Sequence, residues 1–172
     1  EFYQSIIDAI TGAKERRIRS VIITSQGGFF CAGGDLNALR ERRGLPEVER
    51  QGKIELLHDV IRAIRNCPVP VIAAVKGGAA GAGASIALAC DFIVMESGAK
   101  FTAAYVKAGL VPDGGLTASL ARMIPRPLAM EMCVLARPVT AERMQALGAV
   151  NAVVPAEQVM DEAHVWADAV AA

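Results

Sequence analysis

One carboxylate stands in a setting that suits acid–base chemistry. Asp113 follows a Val-Pro pair and precedes two glycines in the stretch KAGLVPDGGLTASLAR, residues 107–122. A carboxyl group can take a proton from one carbon atom and return it to another. The same pattern, Pro-Asp-Gly-Gly before an apolar helical run, is also typical of a helix N-cap, which stabilises a helix by about 1 kcal/mol. Taken by themselves, the residues favour the cap.

Two glycine-rich loops offer backbone N–H groups to a ligand. They are QGGFFCAGGDL at 26–36 and GGAAGAG at 77–83, and each follows an apolar run. Two such loops side by side can hold one oxygen atom as an oxyanion hole, worth about 3–4 kcal/mol per donor. A helix starting near Gly83 would add its positive N-terminal end to the same place. Tight strand-to-helix turns explain the same residues, and spacing alone favours that simpler interpretation.

The other reactive side chains do not form a recognisable centre. The four cysteines are far apart and lack Cys-x-x-Cys spacing, which favours free thiols in a reducing cytoplasm over a zinc site. They are Cys31, Cys67, Cys90 and Cys133. The loop at 77–83 is not followed by the Lys-Ser/Thr pair of a phosphate-binding P-loop. We expect His58 and His164 on the surfaces of helices.

Apolar runs and helical periodicity alternate along the chain and must position these residues. We expect strands at 20–25, 70–77, 91–97 and 151–154, and helices near the N-terminus and at 47–66, 84–90, 127–136, 140–147 and the C-terminus. The order strand, glycine loop, helix occurs twice, at 20–40 and at 70–90. Continuous apolar strands that alternate with helices predict an α/β domain with buried sheets.

Length and composition exclude several classes of protein. A chain of 172 residues fits one domain with a substantial core. Eighteen basic and eighteen acidic residues cancel, which argues against nucleic acid as the main partner. No apolar run reaches the roughly 18–20 residues needed to cross a bilayer. We therefore expect a soluble cytoplasmic protein with no nucleic-acid or membrane partner.

Long segments of the chain resemble one enzyme family. FFCAGGDL at 29–36 and PVIAAVKGGAAGAGASIALACDFIVMES at 70–97 are similar to the two signature segments of the crotonase superfamily, the enoyl-CoA hydratases and isomerases. The similarity continues through 99–115 and 126–155. It implies a crotonase/Clp-type spiral of ββα units, a coenzyme A thioester as substrate with no further cofactor, and homotrimers or dimers of trimers. The family's first strand and C-terminal helices are missing from 1–172, so we expect either a short protein or the ordered part of a longer one.

The resemblance also assigns the thioester site. The family's two oxyanion donors fall on the backbone N–H groups of Ala32 and Ala82. The surrounding loop residues are then expected to contact the acyl-CoA, and no metal ion is implied. These contact residues are Ala32, Gly33, Asp35, Leu36 and Gly81.

The acid–base residues of the family's hydratases are replaced in this chain. Those enzymes use two glutamates, and the matching positions carry Ser85 and Tyr105. Ser85 after GAGA also resembles the serine peptidases that share the spiral, such as the Clp protease, yet no histidine lies between Ser85 and His164 to serve as its base. We expect Ser85 to cap or pack and Tyr105 to pack.

Asp113 then becomes the leading candidate for proton transfer. Members similar to 1,2-epoxyphenylacetyl-CoA isomerase carry a single catalytic aspartate at this place, and a dehalogenase of the family uses one as a nucleophile. We expect an apolar surrounding from Leu110, Val111 and Leu116. The leading hypothesis is an acyl-CoA isomerase with Asp113 as proton shuttle. The alternatives are a hydratase with unusual acid–base groups, a dehalogenase-like enzyme and a catalytically silent acyl-CoA-binding protein.

Overall fold

The computed structural model describes residues 2–13 and 17–171. The α-helices of this part are α1 (Phe2–Thr11), α2 (Leu36–Glu41), α3 (Glu47–Arg65), α4 (Ala82–Ala87), α5 (Leu116–Met123), α6 (Arg126–Leu135), α7 (Ala141–Ala146) and α8 (Val159–Ala171). The strands are β1 (Val21–Ile23), β2 (Val71–Val75), β3 (Gly78–Ala80), β4 (Phe92–Glu96), β5 (Lys100–Thr102), β6 (Val139–Thr140) and β7 (Ala152–Val154). Short 3-10 helices lie at Arg42–Gly44, Ala104–Ala108 and Ala156–Gln158. None of the helices in the described ranges combines the length and apolar character needed to cross a membrane.

Two sheets organise the domain. Four parallel strands in the order β1-β2-β4-β7 form the larger sheet, and in the smaller sheet β5 pairs in parallel with β3 and antiparallel with β6. Cys31 adds an isolated parallel bridge to Ala79 of β3. The chain therefore contributes to each sheet in turn and then forms a helix: β1, Cys31 and α2; then β2, β3 and α4; then β4, β5 and the 3-10 helix at 104–108. This is the spiral of ββα units that the resemblance implied, and the predicted fold class is confirmed.

Strand β2 lies at the centre because all five of its side chains are apolar and buried. Ile72 and Ala74 belong to a cluster that packs against Val159 and Ala163 of α8. Ala73 and Val75 face the opposite side and join the main core. A strand with both faces covered must be apolar throughout, which is why the continuous apolar run predicted this strand correctly.

Helix α3 supports the other side of the sheet, and its bounds agree with the predicted 47–66. It buries Leu57, Val60, Ile61 and Ile64, a stripe of helical periodicity. Helical spacing in the sequence predicts Ile54, Leu57, Ile61 and Ile64 on one buried face, but Ile54 is 45% exposed. The buried face starts only at Leu57, and Val60 also belongs to it.

The short strands β3, β5 and β6 were not predicted. They contain glycine, lysine and threonine residues and only two or three residues each, so the apolar pattern does not mark them. Strands β3 and β5 each follow a longer strand of the other sheet, β2 and β4, and they pair with Ala79 opposite Phe101. Strand β3 positions the candidate site because it ends at Ala80, just before α4.

Candidate active site

The two glycine-rich loops meet backbone to backbone. The N–H of Ala80 donates to the carbonyl oxygen of Cys31 over 2.9 Å, which ties the first loop to the end of β3. A Cβ atom at Gly33 would lie 3.1 Å from the Ala80 oxygen and 3.4 Å from the Ala82 nitrogen. A Cβ atom at Gly83 would overlap the Cys31 carbonyl, so only glycine permits this approach. The loops around Ala32 and Ala82 are therefore neighbours, as the sequence predicted.

Two N–H groups remain unused where these loops meet. Within residues 2–13 and 17–171, neither Ala32 nor Ala82 donates a hydrogen bond from its backbone nitrogen. The neighbouring Gly81 N–H is bonded to the Thr102 oxygen at 3.0 Å, and the Ser85 N–H to the Gly81 oxygen at 3.1 Å. Ala32 is exposed and Ala82 is buried at the first position of α4. Unpaired donors on adjoining loops are what an oxyanion hole requires.

The first turn of α2 carries two of the predicted contact residues. The Asp35 carboxylate caps this helix and accepts a hydrogen bond from the Asn37 N–H at 2.8 Å. The side chain of Leu36 is 63% exposed and presents an apolar surface to solvent. Asp35 thus fixes the start of a helix that follows directly on the Ala32 loop.

Asp113 does not cap a helix with its side chain. Helix α5 begins at Leu116, its N-cap residue is Gly115, and no side chain completes the cap. The backbone oxygen of Asp113 accepts the Leu116 N–H at 3.2 Å, while carboxylate Oδ1 is buried and has no partner among the described residues. The capping interpretation is therefore wrong for the Asp113 side chain. Its carboxylate remains available for chemistry.

The surroundings of Asp113 differ from the apolar shell that was expected. Leu116 is fully buried, but Leu110 is 44% and Val111 82% exposed, because both lie on the outer side of the loop before α5. Ser85 and Tyr105 approach Asp113 instead: Ser85 Oγ lies 2.8 Å from the Tyr105 hydroxyl and 3.0 Å from the Asp113 backbone oxygen. Ser85 and Tyr105 are buried, as expected, but they also form hydrogen bonds that the sequence did not indicate.

A second tyrosine, Tyr3 of α1, was missed by the sequence analysis. Burial raises the pKa of its hydroxyl, electrostatic interactions with Cys31 and Asp113 raise it further, and the interaction with Arg42 lowers it. The Tyr3 hydroxyl is therefore within electrostatic reach of both the first glycine loop and Asp113. The sequence feature that could have identified Tyr3 is its spacing from Ile7 and Ile10, because this spacing places all three residues on one face of α1.

The remaining candidates lie elsewhere or do not cluster. His58 pairs with Glu55 at 3.5 Å along α3, and His164 is exposed on α8. Burial raises the pKa of the Cys90 thiol, which makes it a poor nucleophile. Among the described residues, no three His, Cys, Asp or Glu side chains form a group that could hold a metal ion.

Comparison with known proteins identifies the family and the relatives of this chain. A family model described as enoyl-CoA hydratase/isomerase matches residues 1–172. A probable enoyl-CoA hydratase of Rhodobacter capsulatus is 38% identical over 149 residues, which cover 86% of this chain and 55% of the relative. The 1,2-epoxyphenylacetyl-CoA isomerase of Escherichia coli is 36% identical over 152 residues, which cover 88% of this chain and 58% of the relative.

Solved structures show the same similarity in three dimensions. The crystal structure of an enoyl-CoA hydratase from Polaromonas sp. JS666 superposes with a TM-score of 0.92 and 48% identity. That match covers 98% of this chain and 66% of the Polaromonas chain. The chain thus spans about half the length of the curated relatives it matches, 45–64% of each.

Proposed function

The chain belongs to the enoyl-CoA hydratase/isomerase family of the crotonase superfamily, and on that premise we propose that the protein isomerises an acyl-CoA thioester with Asp113 as proton shuttle. The observation that carries the proposal is the buried Oδ1 of Asp113, which has no hydrogen-bond partner within residues 2–13 and 17–171 and lies close to two hydroxyl side chains. Those hydroxyls, Ser85 and Tyr105, stand at the positions where the family's hydratases carry their glutamates. A single carboxylate is sufficient for isomerisation, because the proton taken from one carbon is returned to another.

The proposed reaction moves a double bond along the acyl chain. Asp113 removes a proton from the α carbon, and the electron pair of that C–H bond delocalises over the thioester oxygen and the γ carbon. The N–H groups of Ala32 and Ala82 stabilise the resulting oxyanion, each by about 3–4 kcal/mol. The Asp113 carboxylic acid then gives its proton to the γ carbon, and the double bond becomes conjugated with the thioester. Nothing is consumed, so the step needs no cofactor.

The loops and α2 would hold the thioester in place. Gly33 and Gly81 lack side chains where the two loops approach each other, which allows the backbones that carry the Ala32 and Ala82 N–H groups to lie side by side. The exposed Leu36 offers apolar contact at the start of α2, and the capping bond of Asp35 keeps that helix start in place. We propose that these residues bind the acyl-CoA around the reacting carbonyl group.

Hydration is the second candidate, favoured by the names of the relatives. Two of the matches described above are called enoyl-CoA hydratases. Hydration adds the hydroxyl group of a water molecule to the β carbon and a proton to the α carbon, so it benefits from a second group that takes a proton from the water. Among the residues that the structure describes, the Ser85 hydroxyl contacts the Asp113 backbone, and the Tyr105 hydroxyl contacts Ser85. Burial raises the pKa of Tyr105 and the charge of Asp113 adds to this, which keeps the Tyr105 hydroxyl protonated and unsuited to act as a base.

The test is Asp113→Asn, which keeps the shape of the side chain and removes its basicity. We expect turnover of enoyl-CoA substrates to fall by roughly 10²–10⁴-fold, the usual contribution of an acid–base group. The Kd for a saturated, unreactive acyl-CoA, measured by calorimetry, should change by less than about twofold, because the N–H donors remain. Asp59→Asn is the matched control, since Asp59 is an exposed carboxylate paired with Arg62 on α3.

The competing functions predict different results. Full activity of the Asp113→Asn variant would remove Asp113 from the reaction. Formation of 3-hydroxyacyl-CoA by the wild type would make the protein a hydratase. A wild type that binds acyl-CoA and turns over no enoyl-CoA would be a catalytically silent binding protein.

A further inference from the structure

A buried chain of hydrogen bonds lies behind Asp113. Ser85 Oγ is 2.8 Å from the Tyr105 hydroxyl, 3.0 Å from the Asp113 backbone oxygen and 3.5 Å from the Gly81 backbone oxygen. Ser85 is fully buried and Tyr105 is 7% exposed. Buried hydroxyl groups at these distances must be paired, since an unpaired one costs about 1–3 kcal/mol. This series of hydrogen bonds is therefore a fixed part of the protein interior.

The number of protons on the two hydroxyl groups determines which group donates each hydrogen bond. Each hydroxyl has one proton, and a backbone carbonyl oxygen can only accept. The proton of Ser85 is therefore donated to the Asp113 oxygen, the nearer of its two carbonyl neighbours. In the 2.8 Å hydrogen bond between these residues, the Tyr105 hydroxyl is then the donor and Ser85 Oγ is the acceptor. The order is Tyr105 to Ser85 to the backbone of Asp113.

Tyr105 is suited to this donor role over the whole neutral range of pH. Burial is the main factor that raises the pKa of its hydroxyl, the negative charge of Asp113 adds to it, and the hydrogen bond with Ser85 acts in the opposite direction. The hydroxyl therefore stays protonated while Asp113 takes up and releases a proton.

The same hydrogen-bond network fixes the backbone of Asp113 and makes no hydrogen bond to carboxylate Oδ1. The Asp113 carbonyl oxygen accepts both Ser85 Oγ at 3.0 Å and the Leu116 N–H at 3.2 Å, which uses both of its lone pairs. Gly114 follows with φ of 56°, and a Cβ atom there would lie 2.9 Å from Ser85 Cβ. The backbone of residues 113 and 114 is therefore pressed directly onto Ser85. Carboxylate Oδ1 receives no hydrogen bond from this network.

We propose that Ser85 and Tyr105 are positioning residues that hold the Asp113 backbone so that its unpartnered carboxylate oxygen faces the substrate. This proposal rests on the proposed function of Asp113 in proton transfer. It gives a different role to the two positions where the family's hydratases carry glutamates, because here they direct the remaining carboxylate and exchange no proton themselves. A misplacement of about 1 Å can cost roughly 10²-fold in rate, which is why such support matters.

A double-mutant cycle with Ser85→Ala and Tyr105→Phe tests this role. We expect each variant to lower kcat by roughly 10- to 100-fold, while KM and the Kd for a saturated acyl-CoA stay within about twofold. Because Tyr105 acts through Ser85, the double variant should be no slower than Ser85→Ala alone. If the two substitutions caused independent packing defects, their fold-losses in kcat would multiply in the double variant.

Ser119→Ala is the matched control. Ser119 is also a buried serine, 2% exposed, but its hydroxyl accepts from Arg65 at 2.8 Å, away from Asp113. Its kcat should equal that of the wild type, and thermal unfolding should show that all variants are folded. The positioning role would be overturned by any of three results: losses in kcat that multiply in the double variant, an unchanged kcat in Ser85→Ala, or a change confined to KM. If Asp113→Asn is inactive in that case, the proposed function stands; if Asp113→Asn is active, both proposals fall.

Discussion

At the scale of single residues, the proposed chemistry depends on groups that make no hydrogen bond inside the described part of the protein. They are Asp113 Oδ1 and the N–H groups of Ala32 and Ala82. A buried polar group without a partner costs about 1–3 kcal/mol. Such groups persist in native proteins where a ligand or reaction uses them. Oδ1 is the clearest case, because the network around Asp113 satisfies its backbone carbonyl oxygen and leaves Oδ1 without a partner among the described residues.

Replacement of Ala82 by proline tests one of the two oxyanion donors. Ala82 is the first residue of α4, a position where proline is tolerated because its N–H has no partner within the helix. We expect Ala82→Pro to lower kcat by roughly 10²–10³-fold, because one donor to the oxyanion is lost. The free energy of unfolding, measured in denaturant, should change little. Ala82→Gly keeps the N–H and should keep most of the activity, and equal loss in both variants would contradict the donor role.

The residues of the site differ in how far the sequence predicts them. Ala32, Ala82 and Asp113 follow from the resemblance, because each lies in a motif. The contact between Ser85 and Tyr105 does not, because the residues are 20 positions apart and meet only when the spiral brings α4 beside the next turn. The sequence alone also favoured a capping role for Asp113. That was wrong because Gly115, with φ of 71°, starts α5 without help from a side chain.

At the scale of elements, α2 depends on its cap more than a buried helix would. It has six residues, and none of them is buried. Packing therefore contributes little to its stability, and the bond from Asn37 N–H to Asp35 contributes much of the order at its start. Because α2 follows directly on the Ala32 loop, its position affects how the thioester is held.

We expect Asp35→Ala to weaken α2 locally by about 1 kcal/mol, the usual effect of a lost N-cap. The KM for acyl-CoA should rise several-fold while kcat stays near the wild-type value, because Asp113 and both N–H donors are unchanged. Steady-state kinetics check this directly. Asp35→Asn keeps the capping oxygen and should behave like the wild type. If it fails like Asp35→Ala, the charge of Asp35 is what matters, and an unchanged KM in both would remove α2 from the binding site.

Element prediction succeeded where one apolar pattern determines the structure. The run at 71–75 is buried on both faces, and α3 has a clear helical stripe, so both were predicted within a few residues. Strand β3 was not predicted, because its residues are Gly-Ala-Ala and carry no apolar pattern that marks a strand. Its conformation is set by pairing with β5 and by the bridge to Cys31, which are contacts made only in the folded spiral.

At the scale of the whole molecule, the larger sheet separates the site from a second layer. The loops of the site lie on the side of the main core, and α8 covers the opposite face through Val159, Ala163 and Ala167. The aromatic rings of Phe92 on β4 and Trp166 on α8 stack with centroids 5.1 Å apart. Trp166, the single tryptophan, therefore reports on whether this layer is docked.

We expect Ile72→Ala to destabilise the protein by roughly 2–5 kcal/mol, because Ile72 is fully buried between β2 and α8. The activity per folded molecule should not change, since Ile72 faces away from the site. Val165→Ala is the matched control, because Val165 is 60% exposed on α8 and should cost at most about 0.5 kcal/mol. Unfolding followed by Trp166 fluorescence measures both. Equal stability of the two variants would contradict the docking of α8 described above.

Hydrogen–deuterium exchange at the α and γ carbons of an enoyl-CoA tests the proton-shuttle role of Asp113 most directly. The wild-type protein is incubated in D2O with straight-chain 2-enoyl-CoA and 3-enoyl-CoA, and deuterium at each carbon is followed by NMR. We expect deuterium at the α or γ carbon together with migration of the double bond, no accumulation of 3-hydroxyacyl-CoA, and loss of both changes in Asp113→Asn. Absence of double-bond migration in the wild type, or equal migration in Asp113→Asn, would contradict the role of Asp113, whereas migration without deuterium means that the same proton returns to the substrate before it exchanges with water.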